Sequence, residues 1–278
     1  MKIDAHHHYW KYNREEYGWI DEAMSVIQRD FLPADLAREL GAVGIEGVIS
    51  VQARQSLVES RWLQELAARN EFMRGVVGWV PLVEPGVGDI LEELRAGTGG
   101  GKLRGVRHVL QGEPDDRYML RADFQAGLRH LTRLGLAYDV LVFERHLPVA
   151  AELADAHPEQ VFVLDHLGKP RIKEGEINNW AAGIRKLARQ ENVFCKVSGL
   201  VTEADWQAWT SEGLRRYFDV ALGAFGPERL MFGSDWPVCL VASGYEGWWR
   251  TVEDWAAALG AGERAALFGG TAIRAYGL

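Results

Sequence analysis

The stretch GIEGVISVQARQSLVESRWLQELAARNEFMRGVVGWVPL, Gly44–Leu82, decides the fold. It opens on a run rich in β-branched residues, Gly44–Gln52, that predicts a strand. Ser56 then begins a segment, Ser56–Asn70, with Glu59 three positions later as in a capping box and with Val58, Leu63 and Leu66 expected on one apolar face. A second β-rich run follows at Arg74–Leu82. Strand, amphipathic helix and strand in that order imply a crossover, which pairs the two strands in parallel.

The alternation continues on both sides. Further candidate strands are Lys2–His8, Leu103–Leu110, Leu136–Phe143, Val161–Gly168, Val193–Leu200 and Arg229–Pro237, which makes eight. Helical segments are expected at Arg121–Leu134, closed by Gly135 as a helix C-cap, and at Leu147–Ala156, Asn178–Gln190, Glu203–Phe225, Tyr245–Leu259 and Gly262–Ala275. Eight repeats predict an α/β fold, a single (β/α)8 barrel spanning residues 1–278 as one domain; such barrels take about 250 residues. Gly97–Gly101, GTGGG, precedes a strand instead of following one, so it reads as a flexible loop and not as a phosphate cradle. The longest irregular stretch, Tyr9–Leu32, carries Trp10, Tyr12, Tyr17 and Trp19 and follows the first strand. That position predicts an aromatic lid over the catalytic face.

The 31 Lys and Arg stand against 39 Asp and Glu, a net charge of −8, and no basic run is present that would track a phosphate backbone; nucleic acid is not an expected partner. Two cysteines, Cys195 and Cys239, make no disulfide framework and are expected as small buried hydrophobes. The first residues, MKIDAHHHYW, lack the apolar run of a signal peptide, and no window of about 18 apolar residues predicts a membrane span. A cytoplasmic enzyme is the expectation; oligomeric state leaves no trace in the sequence.

Barrel active sites form at the C-terminal ends of the strands. The first strand ends DAHHH, and alternation turns His6 and His8 to one side, into the barrel mouth, with His7 outward under a helix. The sixth ends LDHLG, bringing His166, and the eighth ends GSDWP, bringing Asp235. The fourth carries Arg107 and the seventh Lys196 and Ser198. Each alone has a structural reading: a strand-end histidine packs, an aspartate caps the next helix, an arginine pairs at the surface, and an interior lysine pairs with a carboxylate. Asp139 and Asp165 read as supports for packing or for a neighbour's orientation. Four such groups, all at strand C-termini of an eight-strand pattern, point to a reaction centre of His6, His8, His166 and Asp235.

The HxH after the first strand, DHLGKP at Asp165–Pro170 and GSDWP at Gly233–Pro237 resemble the amidohydrolase superfamily. VQARQSLVESRWLQELA (Val51–Ala67), GVRHVLQGEPDDRYML (Gly105–Leu120), CKVSGLVTEADW (Cys195–Trp206) and RLMFGSDWPVCL (Arg229–Leu240) resemble its branch of sugar lactonases and dicarboxylate-pyrone lactonases, over nearly the whole chain. The resemblance implies hydrolysis of a sugar lactone such as L-fuconolactone, a small-molecule substrate. Two-metal members add a bridging lysine on strand four and histidines on strands five and six. Here strand four offers Arg107, strand five has no histidine, and none follows His166. We therefore expect no required cofactor, with one zinc or other divalent metal on His6, His8, His166 and Asp235 as the alternative, in a zinc-dependent amidohydrolase or decarboxylase. On the expected chemistry Asp235 activates water, His166, Arg107 and His6 or His8 stabilise the oxyanion, and Gln52, Lys196, Trp19 and Trp236 hold substrate.

Overall fold

The computed structural model describes all residues, 1–278. Eight strands, β1 (Ile3–His7), β2 (Gly47–Val51), β3 (Met73–Gly78), β4 (Leu103–His108), β5 (Ala137–Val140), β6 (Phe162–Leu164), β7 (Val193–Val197) and β8 (Leu230–Phe232), form one sheet in sequence order. Every neighbouring pair is parallel. The helices are α1 (Pro33–Val43), α2 (Leu57–Arg69), α3 (Val87–Ala96), α4 (Ala122–Leu134), α5 (Leu147–Ala156), α6 (Asn178–Leu187), α7 (Leu200–Glu203), α8 (Ser211–Phe225), α9 (Tyr245–Trp255), α10 (Ala261–Ala265) and α11 (Thr271–Tyr276). This is the (β/α)8 barrel that the alternation predicts.

The sheet returns to its start through backbone bonds just beyond the last strand. His8 N–H donates to the Trp236 carbonyl at 2.7 Å, and Asp235 N–H to the His6 carbonyl at 2.8 Å. These bonds bring His6, His8 and Asp235 side by side. Behind them the fully buried Asp4 carboxylate accepts from the N–H groups of His6 (3.1 Å) and Ser234 (2.9 Å) and from the Tyr245 hydroxyl (2.9 Å). Inside the barrel, Ile3, Ala5, Ile49, Val51, Val77, Ala137, Val163 and Met231 form an apolar cluster that α11 joins with Ala272, Ala275 and Tyr276. A second, larger cluster lies between sheet and helices.

Several expectations are corrected in detail. The β6 and β8 strands stop after three residues because the chain turns into left-handed backbone, at His166 (φ 52°) after β6 and at Asp235 (φ 56°) after β8. The segment Glu203–Phe225 is helical only from Ser211, as α8; Glu203 is the last residue of α7, and an irregular stretch separates the two. The segment Gly262–Ala275 is broken at Gly269, whose absent side chain lets the Met1 carbonyl approach to 2.2 Å of where a Cβ would sit. Helices α1 and α3 lie where no helix is predicted. Gly97–Gly101 is a packed turn, not a flexible loop: Gly99 has φ 69°, Gly100 is buried, and a Cβ on either would strike backbone. Glu59 of α2 completes no capping box. Its carboxylate leaves Ser56 and accepts from Ala53 N–H (3.0 Å) and Arg54 N–H (2.8 Å), fixing the turn after β2.

Val58 is also misplaced by the sequence reading. It is 70% exposed, whereas Leu63 is fully buried with Ser60, Gln64 and Ala67 on the true inner face of α2. Leu63→Ala should lose about 2–5 kcal/mol of unfolding free energy. Val58→Ala should stay within about 0.5 kcal/mol, both read from urea denaturation.

Candidate active site

His6 and His8 converge as their alternation in β1 predicts. Their Nε2 atoms lie 3.2 Å apart, and Asp235 Oδ1 lies 3.7 Å from the first and 3.4 Å from the second. His166 Nε2 is 4.0 Å from the same oxygen. The structure thus gathers all four groups. His8 Nδ1 donates to the Val51 carbonyl at 2.8 Å, which leaves Nε2 of the neutral ring as an acceptor. His166 Nδ1 meets the Ser198 hydroxyl at 2.9 Å. Gly199, at φ 71°, is required beside it, since a Cβ there would stand 2.7 Å from the imidazole.

Beneath these groups lies a buried ionic layer. Asp165 Oδ2 accepts from Arg107 Nη1 at 2.9 Å, and its Oδ1 meets Lys196 Nζ at 2.9 Å and His6 Nδ1 at 3.2 Å. Lys196 also donates to Asp139, which accepts from the Tyr276 hydroxyl at 2.8 Å. Arg107 Nη2 donates to the backbone carbonyl and to the side-chain oxygen of Gln52. Its remaining donor, Nε–H, is buried and has no partner.

Burial alone would raise all three buried carboxyls, but their neighbours separate them. Lys196, His6 and Arg107 hold Asp165 well below the ordinary carboxylate value. Asp139 is pushed up to about 6, Lys196 opposing its burial only in part. For Asp235 the burial penalty is outweighed by His166, His8 and Lys169, so its carboxyl titrates below the ordinary value. Burial depresses the histidines: His6 well below its usual range and His166 to about 4.

A cavity of about 220 Å³ opens over these groups, lined by His8, Arg107, His166 and Asp235 and by Trp19 of the predicted lid. The lid is a packed cap: Trp10 and Tyr17 are buried, and only Trp19, 44% exposed, reaches the cavity. His6, Gln52, Lys196 and Trp236 are not in its wall. His6 and Lys196 belong to the ionic layer and Gln52 holds Arg107, while Trp236 packs edge-on against Phe31 and Tyr9. Cavity residues to which the sequence reading gives no role are Gln111, Lys169, Thr202, Glu203 and Val238. All follow strand ends inside motifs quoted above, but spacing alone does not bring them together. A larger polar chamber of about 960 Å³ adjoins this cavity and shares Lys169, Thr202 and Glu203; the reactive groups converge on the smaller one.

The residues fit a divalent cation. Metal–nitrogen bonds of about 2.0–2.1 Å at tetrahedral angles set ligand atoms roughly 3.3 Å apart, close to the spacing of His6 Nε2, His8 Nε2 and Asp235 Oδ1. Asp165 and the Val51 carbonyl stand behind the two imidazoles as outer partners do in zinc sites. A second group, His6, Asp165 and His166, is less suitable because Asp165 is already shared by two cations.

An amidohydrolase family model matches residues 3–278. An L-fucono-1,5-lactonase of Burkholderia multivorans is 44% identical over 289 residues, covering 100% of this chain and 96% of that one. An L-fucono-1,5-lactonase of Burkholderia ambifaria is 33% identical over 280 residues, covering 99% and 95%. Among solved structures, an amidohydrolase from Burkholderia multivorans with bound zinc is 44% identical, with a TM-score of 0.96 over 100% of this chain and 99% of that one.

Zinc titrated calorimetrically into chelator-treated protein is expected to bind one equivalent, and Asp235→Ala to weaken it by more than about tenfold. Unchanged affinity would place the ion elsewhere.

Proposed function

The chain belongs to the amidohydrolase family, and on that premise we propose that it is a hydrolase opening the ring of a sugar-acid lactone, L-fuconolactone or a related aldonolactone. The observation that carries the reading is one small cavity bordered by an ionised carboxylate, Asp235, by His166, and by Arg107, whose Nε–H has no protein partner. The names of the two Burkholderia relatives support it. No helix is long and apolar enough to cross a membrane.

A lactone is an activated ester, so no poor amine leaving group has to be expelled. Asp235 takes a proton from water as the oxygen attacks the ring carbonyl. Ser198 donating to His166 Nδ1 leaves the imidazole proton on Nε2, on the side of Asp235. That proton and Arg107 Nε–H stabilise the developing oxyanion, at about 3 kcal/mol per donor. The ring C–O bond then breaks, and protonated Asp235 returns its proton to the leaving alkoxide. His8 and His6 stand beside Asp235, at 3.4 and 3.7 Å, and the Nδ1 of His6 ties that side of the site to the ionic layer. Gln52 and Lys196 serve by orienting Arg107 and Asp165, Trp19 meets the substrate, and Trp236 supports the lid.

A divalent cation held by His6, His8 and Asp235 supplies Lewis acidity when bound. We propose that turnover does not require it. The Arg107 guanidinium lies 3.4 Å from His6 Nε2 and sets a fixed positive charge beside the ligand nitrogen, which weakens a cation's hold. The donor spacing favours a second reading, a zinc-dependent hydrolase of the same family.

Asp235→Asn should lower kcat/KM by at least about 10²-fold while the protein stays folded; near wild-type turnover would remove Asp235 from the role of base. The pH profile gives a separate check. Because His166 gains its proton only as pH falls towards about 4, kcat/KM should stay level down to about pH 5. A loss centred near 6.5, where an ordinary histidine titrates, would contradict this assignment.

A further inference from the structure

The cavity is lined by polar residues that the proposed reaction does not use. Gln111 Oε1 and Thr202 Oγ1 are buried and have no hydrogen-bond partner. Lys169, in the loop after β6, faces Glu203 of α7 with Nζ and Oε1 3.3 Å apart, and both side chains line the cavity. Lys169 is held by left-handed backbone (φ 49°), one of four non-glycine residues in that conformation, all within the loops after β6 and β8. Strained backbone of this kind clusters where a side chain must be aimed. Buried polar atoms without protein partners are met by water or by ligand.

The remaining wall constrains what that ligand is. Trp19, Leu141 and Val238 supply apolar surface to the same cavity. Its 220 Å³ equals about seven water volumes at roughly 30 Å³ each, room for a monosaccharide ring. A ring with hydroxyls at its edge and C–H faces satisfies both kinds of wall.

We infer that Gln111, Thr202 and the Lys169–Glu203 pair read the hydroxyl groups of the bound lactone and so decide which sugar lactone is accepted. Gln111 and Glu203 accept from sugar hydroxyls, Lys169 donates, and Thr202 does either. The inference rests on the lactonase reading and goes further, since these residues set selectivity and leave the bond-breaking to Asp235. A site built to bond a hydroxyl rejects the analogue lacking it, because its own polar groups are then left unpaired.

The test is a cycle between enzyme and substrate. Wild type, Gln111→Leu, Thr202→Val and Glu203→Gln are each assayed on one aldonolactone and on its monodeoxy analogues, with melting temperature as the check on folding. Wild type should prefer the full lactone over at least one deoxy analogue by about tenfold or more. The variant lacking the matching reader should bring that ratio close to one, chiefly by raising KM on the full lactone, while its rate on the deoxy analogue stays within about threefold of wild type. Thr202→Val is nearly isosteric and keeps the cycle readable if a bulkier change perturbs folding. Equal preference ratios in wild type and all three variants, with lactones still turned over, overturn the hydroxyl assignment and leave the lactonase reading standing. Absence of turnover of every lactone by wild type overturns the lactonase reading and this inference together.

Discussion

The buried carboxylate of Asp165 is the group on which the barrel mouth depends. It holds Arg107 at 2.9 Å, Lys196 at 2.9 Å and His6 at 3.2 Å, three side chains from β4, β7 and β1 that have no other reason to meet. With Asp139 the layer contains two carboxylates and two cations, so its formal charge is balanced inside a core with no water-exposed side chain among Asp139, Asp165 and Lys196. Removing one member of such a set leaves an uncompensated buried charge, typically a loss of about 3–5 kcal/mol. The same bonds decide the chemistry above. Arg107 is committed through both Nη atoms to Asp165, His6 and Gln52, which leaves one donor, the buried Nε–H, without a partner.

Above this layer, aim comes from backbone that L residues seldom adopt. His166, Leu167, Lys169 and Asp235 all have positive φ, at about 1–3 kcal/mol each. The surroundings hold them there. Trp180 Nε1 donates to the Leu167 carbonyl at 2.7 Å, Gly199 leaves room for the His166 ring, and Asp235 N–H is bonded to β1. Ending β6 and β8 early turns their last polar side chains onto the barrel axis, where a continued strand would alternate past it.

Much of this was legible in the sequence. Period-two alternation in DAHHH sends His6 and His8 one way, and eight strand–helix repeats leave little besides a closed barrel. The DHLG and GSDWP endings mark the rim. What escaped has a physical cause in each case. Lys196 is expected to hold substrate, but it is sunk beneath the site in the carboxylate pairing that its other reading gives, and Asp165, read as a support for packing or for a neighbour's orientation, is the keystone of that layer. Trp236 follows Asp235 in sequence, yet the left-handed turn at Asp235 sends it into the lid's underside. Gln111 follows β4 while Thr202 and Glu203 sit together in α7 after β7, and no spacing rule brings the two places to one cavity. Val58 was misread because three apolar residues at intervals of five and three do not share a face of a 3.6-residue helix.

On the proposed mechanism, side chains alone, organised over Asp165, open a sugar lactone. The most direct measurement is hydrolysis of a panel of aldonolactones followed by acid release with a pH indicator, run with and without a strong chelator. Turnover of at least one monosaccharide lactone is expected, at a rate that chelation leaves unchanged. Turnover abolished by chelator and restored by zinc would contradict it, and would recast His6, His8 and Asp235 as ligands in place of a base and its supports.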